Sequence, residues 1–266
     1  MDAVRVYFRY ISISIRSQLQ YRASLLMLTL ANFLISIIEF IGIWALFSRF
    51  GTLKGWTLWE IGLFYGTINM SYAVSIAFTR GFDKFALQVN SGEFDRTLLR
   101  PQATAFQVLG HDFQLLRAGR MIQGLVILVL SSVNLGIHWT VFRVLLLLFS
   151  IAGGVMLFSG FIILQATMCF WSTQSLEVMN IFTDGGVETA QWPLPIYNRW
   201  FANIFIFIIP LACVNYFPAI AILGKNDVLG SPVWFQWTSP FMGLLFLLVS
   251  IRIWEFGVRH YRSTGS

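Results

Sequence analysis

The side chains that most often carry catalysis are sparse in this chain and poorly placed for it. Its three histidines, His111, His138 and His260, fall in predicted loops or at the ends of apolar runs, and none has a metal-ligand partner at suitable spacing. The chain contains no phosphate loop of the Gly-x-x-x-x-Gly-Lys-Ser/Thr type, so we do not expect it to hydrolyse ATP through such a site alone. These observations predict a protein that is not an enzyme by itself and that binds no metal or cofactor of its own.

Glu39 is the most informative single charge. It lies about 24 Å into an apolar run, at 1.5 Å per helical residue. A carboxylate at that depth costs a few kcal/mol unless it is paired or hydrated. Two interpretations carry equal weight: a substrate or proton contact in a polar cavity, and a hydrogen-bonded or protonated glutamate at a helix interface.

The composition indicates an all-α, polytopic membrane protein. Of 266 residues, 57% are hydrophobic and 11% charged, whereas soluble domains carry about 25% charged residues. A helical span needs about 20 apolar residues. Six such spans are predicted within a single domain: 23–47, 60–79, 118–137, 141–168, 200–223 and 241–258. Pro210 interrupts the fifth and is expected to kink it.

The distribution of basic residues predicts the sidedness of these spans. Fourteen of the 18 Lys and Arg residues collect on the side of both termini, which positive-inside statistics assign to the cytoplasm. They are Arg5, Arg9, Arg16, Arg22, Arg80, Lys84, Arg96, Arg100, Arg117, Arg120, Arg199, Arg252, Arg259 and Arg262. Because these cations sit at span edges, where anionic headgroups attract them, the net charge of +6 does not suggest nucleic acid.

Residues 3–21 are predicted to form an amphipathic helix ahead of the first span. Val4, Phe8, Ile11, Ile15 and Leu19 recur at helical spacing on one face. A basic helix of this kind favours the membrane surface. We prefer this interfacial placement to a merely solvated helix.

The segment 169–199 is harder to assign. Glu177, Asp184 and Glu188, a Gly-Gly pair and two prolines oppose a full span. We predict a cytoplasmic extension of the fourth span followed by an interfacial turn. A re-entrant segment remains the alternative.

The polar segment 80–117 lies on the cytoplasmic side in this topology. Its centre, Leu98 to Pro101, is predicted to be an extended turn that leads into a short helix starting at Pro101. A short, rigid helix can seat in a groove on a soluble domain. An ordinary loop on lipid headgroups is the equally weighted alternative. The side chains expected to face a partner are Gln102, Thr104, Phe106, Gln107 and Leu109.

The same segment resembles the permease subunits of ABC type-2 exporters. The run from Phe94 to Pro101 is similar to a Phe-Asp-x-x-Leu-x-Arg-Pro-like motif in a bacterial branch of that superfamily. The prolines in Ile209-Pro210-Leu211 and Asn215-Tyr216-Phe217-Pro218-Ala219 resemble the proline-rich fifth span of the same branch. In its predicted topology, which includes the N-terminal interfacial helix, the whole chain resembles these permeases.

The resemblance implies a bacterial inner-membrane permease that pairs with a second permease, identical or different, and with cytoplasmic cassette ATPases that bind ATP and Mg²⁺. The substrate would be a hydrophobic or amphipathic drug, lipid, glycan or peptide. Glu39 and Pro210 would lie on the translocation route. The ATPase would be contacted by Arg96, Leu98, Leu99, Arg100, Pro101, Gln102, Phe106 and Gln107.

Three other functions stay open on the sequence. The chain resembles, in span number, a membrane-embedded substrate-binding subunit of an importer, which also needs an ATPase. It is also compatible with an ATP-independent channel or scaffold. An intramembrane enzyme is least favoured, because no histidine is predicted at membrane depth to act as a base.

Overall fold

The computed structural model describes residues 3–171 and 176–261, and within these ranges the chain is helical with short connections. The all-helical, polytopic prediction is thereby confirmed. The helices are α1 Ala3–Gln20, α2 Arg22–Phe50, α3 Leu58–Asp83, α4 Phe85–Asn90, α5 Glu93–Leu98, α6 Thr104–Leu109, α7 Ala118–Asn134, α8 Val141–Met168, α9 Leu176–Ala190, α10 Arg199–Asn203, α11 Leu211–Val214, α12 Tyr216–Leu223, α13 Val233–Thr238 and α14 Phe241–His260.

Helix α3 forms the centre of the bundle. Five described helices are long and apolar enough to cross a membrane, and α3 is the most deeply buried of them. It packs against α7, α8 and α9. Small residues allow these close approaches: a Cβ added at Gly66 would lie 2.7 Å from the Leu128 side chain of α7. Small residues at crossings are the usual means of packing helices in a bilayer.

The bundle has two distinguishable ends. The end that holds α1, the segment 84–117 and the last turns of α14 is called the terminal end. The opposite end, called the far end, holds the loop 51–57. There the Thr57 amide donates to Glu60 Oε2 at 2.9 Å in a capping box that starts α3. Lys225 pairs with the same carboxylate at 2.7 Å and lies over the Trp56 ring.

The predicted fifth span, 200–223, is a re-entrant hairpin in the structure. Its two arms, Arg199–Ile208 and Leu211–Leu223, are bent by 74° where Pro210 interrupts the helix. Pro195 and Ile196, which precede the hairpin, accept hydrogen bonds at their carbonyls from Lys54 Nζ of the loop 51–57. Lys225, which follows the hairpin, donates from Nζ to the Gly55 carbonyl of the same loop. The hairpin therefore begins and ends beside the loop 51–57, at the far end.

Helix α9 runs along α3 between the two ends of the bundle. The Tyr72 hydroxyl of α3 donates to Asp184 of α9. Farther along, the Asn215 amide donates to the carbonyls of Ala190 and Phe64, at 2.7 and 3.3 Å. Helix α9 therefore runs antiparallel to α3, from the terminal end toward the far end. The predicted cytoplasmic extension of span four is wrong for residues 176–190; the side chain of Glu177 lies outside the described residues.

This topology leaves the start of α1 and the end of α14 at one end of the bundle and moves a single basic residue. Arg199 starts the hairpin at the far end, so the bias among the described residues becomes 12 basic residues against 5. Arg262 lies outside the described residues. The prediction that Arg199 lies on the terminal side is wrong, and the bias keeps its direction.

Candidate functional site

The segment 84–117 is folded tightly onto the terminal end. Helices α4, α5 and α6 follow one another, and a 3-10 turn, Leu115–Arg117, leads into α7. Lys84 pairs with Asp112 at 2.7 Å, which closes the base of the segment. The Gln114 amide donates to the Ala77 carbonyl of α3 at 3.2 Å. The segment is thus a structured unit and not an open loop.

An aromatic cluster fixes this unit to the long helices. Phe94, the first residue of the quoted motif, is fully buried, and its ring centroid lies 4.9 Å from that of Phe85. Phe85 in turn contacts Trp254 of α14 at 4.8 Å. Aromatic pairs of this kind contribute about 0.5–1.5 kcal/mol beyond their burial. The cluster, called the aromatic anchor, comprises Phe82, Phe85, Phe94, Phe170, Trp254 and Tyr261.

Beyond the anchor, residues 96–103 are mostly exposed; they run from the last residues of α5 to the start of α6 and are called the exposed turn. Leu99 is 86% exposed, more than any other large apolar side chain described. Large exposed apolar side chains mark contact surfaces when they cluster. The exposed members that we predicted as partner contacts are Arg96, Leu98, Leu99, Arg100 and Pro101.

Gln107 has a different position from the predicted one. Its Nε2 donates to the carbonyls of Thr97 and Gln102, at 3.2 and 2.9 Å, and so braces the exposed turn from behind. The helix that contains it begins at Thr104 and not at Pro101, because the Gln102 amide closes a tight turn on Arg100 and Ala103 is extended. Helix α5 also includes Leu98, which was predicted to be the first residue of the extended turn.

Phe106 faces the protein and not the solvent. Its ring lies 5.3 Å from that of Tyr7 on α1, and both side chains are half-buried. Burial raises the pKa of the Tyr7 hydroxyl above its ordinary value. Val108, on the same helix, packs against Gly81 of α3. Helix α6 therefore connects the exposed turn to α1 and α3.

Helix α1 holds the end of the segment 84–117 in place through side-chain hydrogen bonds. Ser14 Oγ donates to the Phe113 carbonyl at 3.0 Å, and the Leu115 amide donates to Gln18 Oε1 at 2.9 Å. Ile11 and Ile15 are half-buried on this face. The side chains of Val4, Arg5 and Phe8 lie outside the described residues.

Glu39 lies on the surface of the chain yet has a partner. The Tyr65 hydroxyl donates to Glu39 Oε2 at 3.2 Å and contacts the Ser36 carbonyl at 3.1 Å. Gln123 of α7 donates to the same carbonyl and to the tyrosine oxygen. Pro210 is buried at the tip of the hairpin.

Sequence reasoning identified the exposed turn but missed what holds it. Phe85 and Trp254 were not among the predicted site residues, and Phe94 was quoted only as part of a motif. The available signal was the placement of large aromatic residues in a polar segment, where a solvated loop has no use for them.

Residues 33–265 match the family described as ABC-2 family transporter protein. The chain therefore belongs to the ABC-2 transporter family, whose members are membrane components of transport systems, and it is a multi-pass membrane protein. No curated protein and no solved structure matches the chain significantly.

Proposed function

We propose that this chain is the permease subunit of an ATP-driven exporter, in which a separate cassette ATPase binds ATP and Mg²⁺. The family match supports the transporter class. The exposed turn 96–103 on its aromatic anchor carries the rest of the proposal, because it joins a solvent-facing surface to three long helices. The substrate is a hydrophobic or amphipathic drug, lipid, glycan or peptide.

The terminal end faces the cytoplasm in this proposal. Twelve of the 17 basic residues that the structure describes lie at that end, and positively charged ends are retained inside. In a bacterial inner membrane the exposed turn then meets a cytoplasmic ATPase. Helix α1 lies at the headgroup level on the same side, where its arginines meet anionic lipid.

Movement of the ATPase reaches the membrane through the anchor. Arg96, Leu98, Leu99, Arg100 and Pro101 form the contact. Gln102, Phe106 and Gln107 support it: Gln107 fixes the turn and Phe106 passes displacement to α1. Because packed aromatic rings do not deform continuously, a push on the turn shifts α3, α8 and α14 together.

A second permease, identical or homologous, completes the route. Helix α2 is the least buried of the long helices in the single chain and carries Glu39 on its surface. A carboxylate at membrane depth is retained where it faces protein or a water-filled cavity. We place Glu39 on the translocation route between two permeases, with Tyr65 holding its carboxylate. Pro210 shapes the hairpin that closes the route at the far end.

The experiment is co-purification of the chain with a cassette ATPase, followed by ATPase assays in proteoliposomes. Leu99→Asp should abolish the stimulated activity, because a carboxylate replaces the apolar contact. Val228→Asp, at the far end, is the matched control, since Val228 is 79% exposed. Stimulation that survives Leu99→Asp would remove the coupling role, and transport without nucleotide would indicate a channel. Uptake in place of export would indicate an importer subunit.

Glu39 has its own test in the same proteoliposomes. Glu39→Gln keeps an acceptor for Tyr65 but removes the charge. We expect export to fall several-fold while the complex still assembles. Unchanged export by this variant would remove Glu39 from the route.

A further inference from the structure

A polar cavity of about 260 Å³ lies between α3, α7, α8 and α9, in the half of the bundle nearest the terminal end. One water occupies about 30 Å³ of liquid volume, so the cavity has room for a small charged group with some of its hydration. The charged and polar side chains that matter are Tyr72, Asp83, Arg117, Arg120, Gln165 and Asp184.

Two arginines dominate this cavity. Arg117 and Arg120 are three residues apart, which places them on one side of the start of α7. Arg120 Nε donates to Asn69 Oδ1 at 2.8 Å, and Arg117 Nε donates to Gln114 Oε1 at 3.3 Å. Both acceptors are neutral amides, so these bonds orient the guanidinium groups without cancelling their charge. A guanidinium has five N–H donors, which leaves the terminal ones available to a ligand.

The carboxylates of the cavity do not neutralise both arginines. Asp83 pairs with Arg80 on its own helix. Asp184 accepts a hydrogen bond from the Tyr72 hydroxyl, and the Arg120 guanidinium lies over the Tyr72 ring at 5.1 Å. With the Arg80–Asp83 pair set aside, the side chains that line the cavity include two positive groups and one negative group. Glu188 of α9 also interacts electrostatically with Arg120 but does not line the cavity. Like charges repel strongly in a low-dielectric interior, so an added anion is favoured.

We propose that this cavity binds the oxyanion group, of the phosphate class, of an amphipathic substrate. Two neighbouring guanidinium groups present the parallel N–H donors that bind phosphate oxygens in pairs. The neutral side chains of Gln165, Asn180 and Thr183 complete a polar lining. The role as a substrate site rests on the proposed export function, whereas the binding itself does not.

The test is calorimetric titration of the full chain in phosphatidylcholine nanodiscs with decyl phosphate, with empty nanodiscs as the blank. Saturable binding is expected. Arg117→Gln and Arg120→Gln should each weaken it by about tenfold or more, as for a lost charge-assisted bond. Arg252→Gln is the matched control, because its side chain is 82% exposed at the same end. Its binding should equal that of the unaltered chain.

Asp184→Asn keeps the proposal falsifiable if the arginine variants fail to fold. Asparagine retains an oxygen acceptor for Tyr72 while removing the negative charge, so decyl phosphate should bind more tightly. Weaker or unchanged binding by this variant overturns the proposal. The proposal is also overturned if the cation decyltrimethylammonium binds saturably and decyl phosphate does not.

Titration with inorganic phosphate shows whether the cavity prefers the headgroup of an amphipathic molecule or a free anion. The proposal expects it to bind more weakly than decyl phosphate, because it lacks the apolar chain that the bilayer holds; equal or tighter binding overturns the amphipathic substrate. No ATPase is present in these titrations. Failure of coupling to the ATPase and failure of anion binding are therefore independent results.

Discussion

Trp254 Nε1 donates a hydrogen bond to Thr104 Oγ1 at 3.1 Å, across 150 positions of sequence. The indole belongs to α14, a helix of membrane-spanning length, and the hydroxyl belongs to the first residue of α6. The bond therefore joins a long helix to the point at which the exposed turn 96–103 ends. It adds a directional contact to the non-directional packing of the aromatic anchor.

Thr104→Val should uncouple the two elements while preserving the shape of the side chain. The buried indole N–H then lacks its acceptor, which costs about 1–3 kcal/mol. We expect a lower thermal unfolding temperature and a smaller ATPase stimulation. Thr238→Val is the control, because the Thr238 hydroxyl bonds only carbonyls of its own helix at the far end. Equal effects of the two substitutions would contradict the special role of Thr104.

Gln107→Leu should loosen the exposed turn although Gln107 is not itself on the surface. The carbonyls of Thr97 and Gln102 lose the amide donor that holds them. Hydrogen exchange of the amides in 97–103 should accelerate. Gln102→Ala is a matched control, because the brace uses only the main-chain carbonyl of Gln102. Unchanged exchange in the Gln107 variant would show that the turn is held by something else.

Gly243→Ala should strongly destabilise the bundle. A Cβ at this position would lie 2.1 Å from the Gly153 carbonyl oxygen, so α8 and α14 would have to separate. Overpacking of this kind costs about 1–3 kcal/mol. Gly42→Ala, on α2, meets nothing within 4 Å and should be neutral or slightly stabilising. Thermal unfolding in detergent measures both, and similar unfolding temperatures would contradict the tight crossing.

The re-entrant hairpin predicts where introduced cysteines are labelled. In a variant lacking Cys169 and Cys213, cysteines at Asn198 and Val228 should react with an impermeant maleimide added outside intact cells. A cysteine at Leu99 should react only after the membrane is opened. If 200–223 crossed the membrane once, the cysteine at position 198 would be protected from the reagent. Protection at position 198 would therefore contradict the re-entrant hairpin.

The apolar runs were sufficient to locate the long helices, because length and hydropathy report on lipid burial directly. They could not distinguish a crossing from a re-entrant hairpin. Residues 200–223 are apolar enough for either, and Pro210 is compatible with a kink or a tip. The contacts of the loop 51–57 with both sides of the hairpin decide between them: Lys54 bonds the carbonyls of Pro195 and Ile196, and Gly55 accepts from Lys225.

The prediction for residues 176–190, which form α9, was wrong for the opposite reason. Asp184 and Glu188 looked too polar for a crossing, since an isolated charge at membrane depth is costly. Tyr72 removes much of that cost for Asp184 through a tertiary hydrogen bond that no local pattern reveals. Similarly, Phe106 looked like an exposed anchor until Tyr7, nearly one hundred positions earlier, was found against it.

The most direct test of the coupling claim is photo-crosslinking from single positions of the chain to its cassette ATPase in native membranes. A photoreactive residue at Leu99 or Arg100 should crosslink to the ATPase in good yield, because both side chains are exposed on the turn. One at Gln107, behind the turn, or at Val228, at the far end, should not. Crosslinks from position 228 equal to those from 99, or none from 99 and 100, would contradict the account.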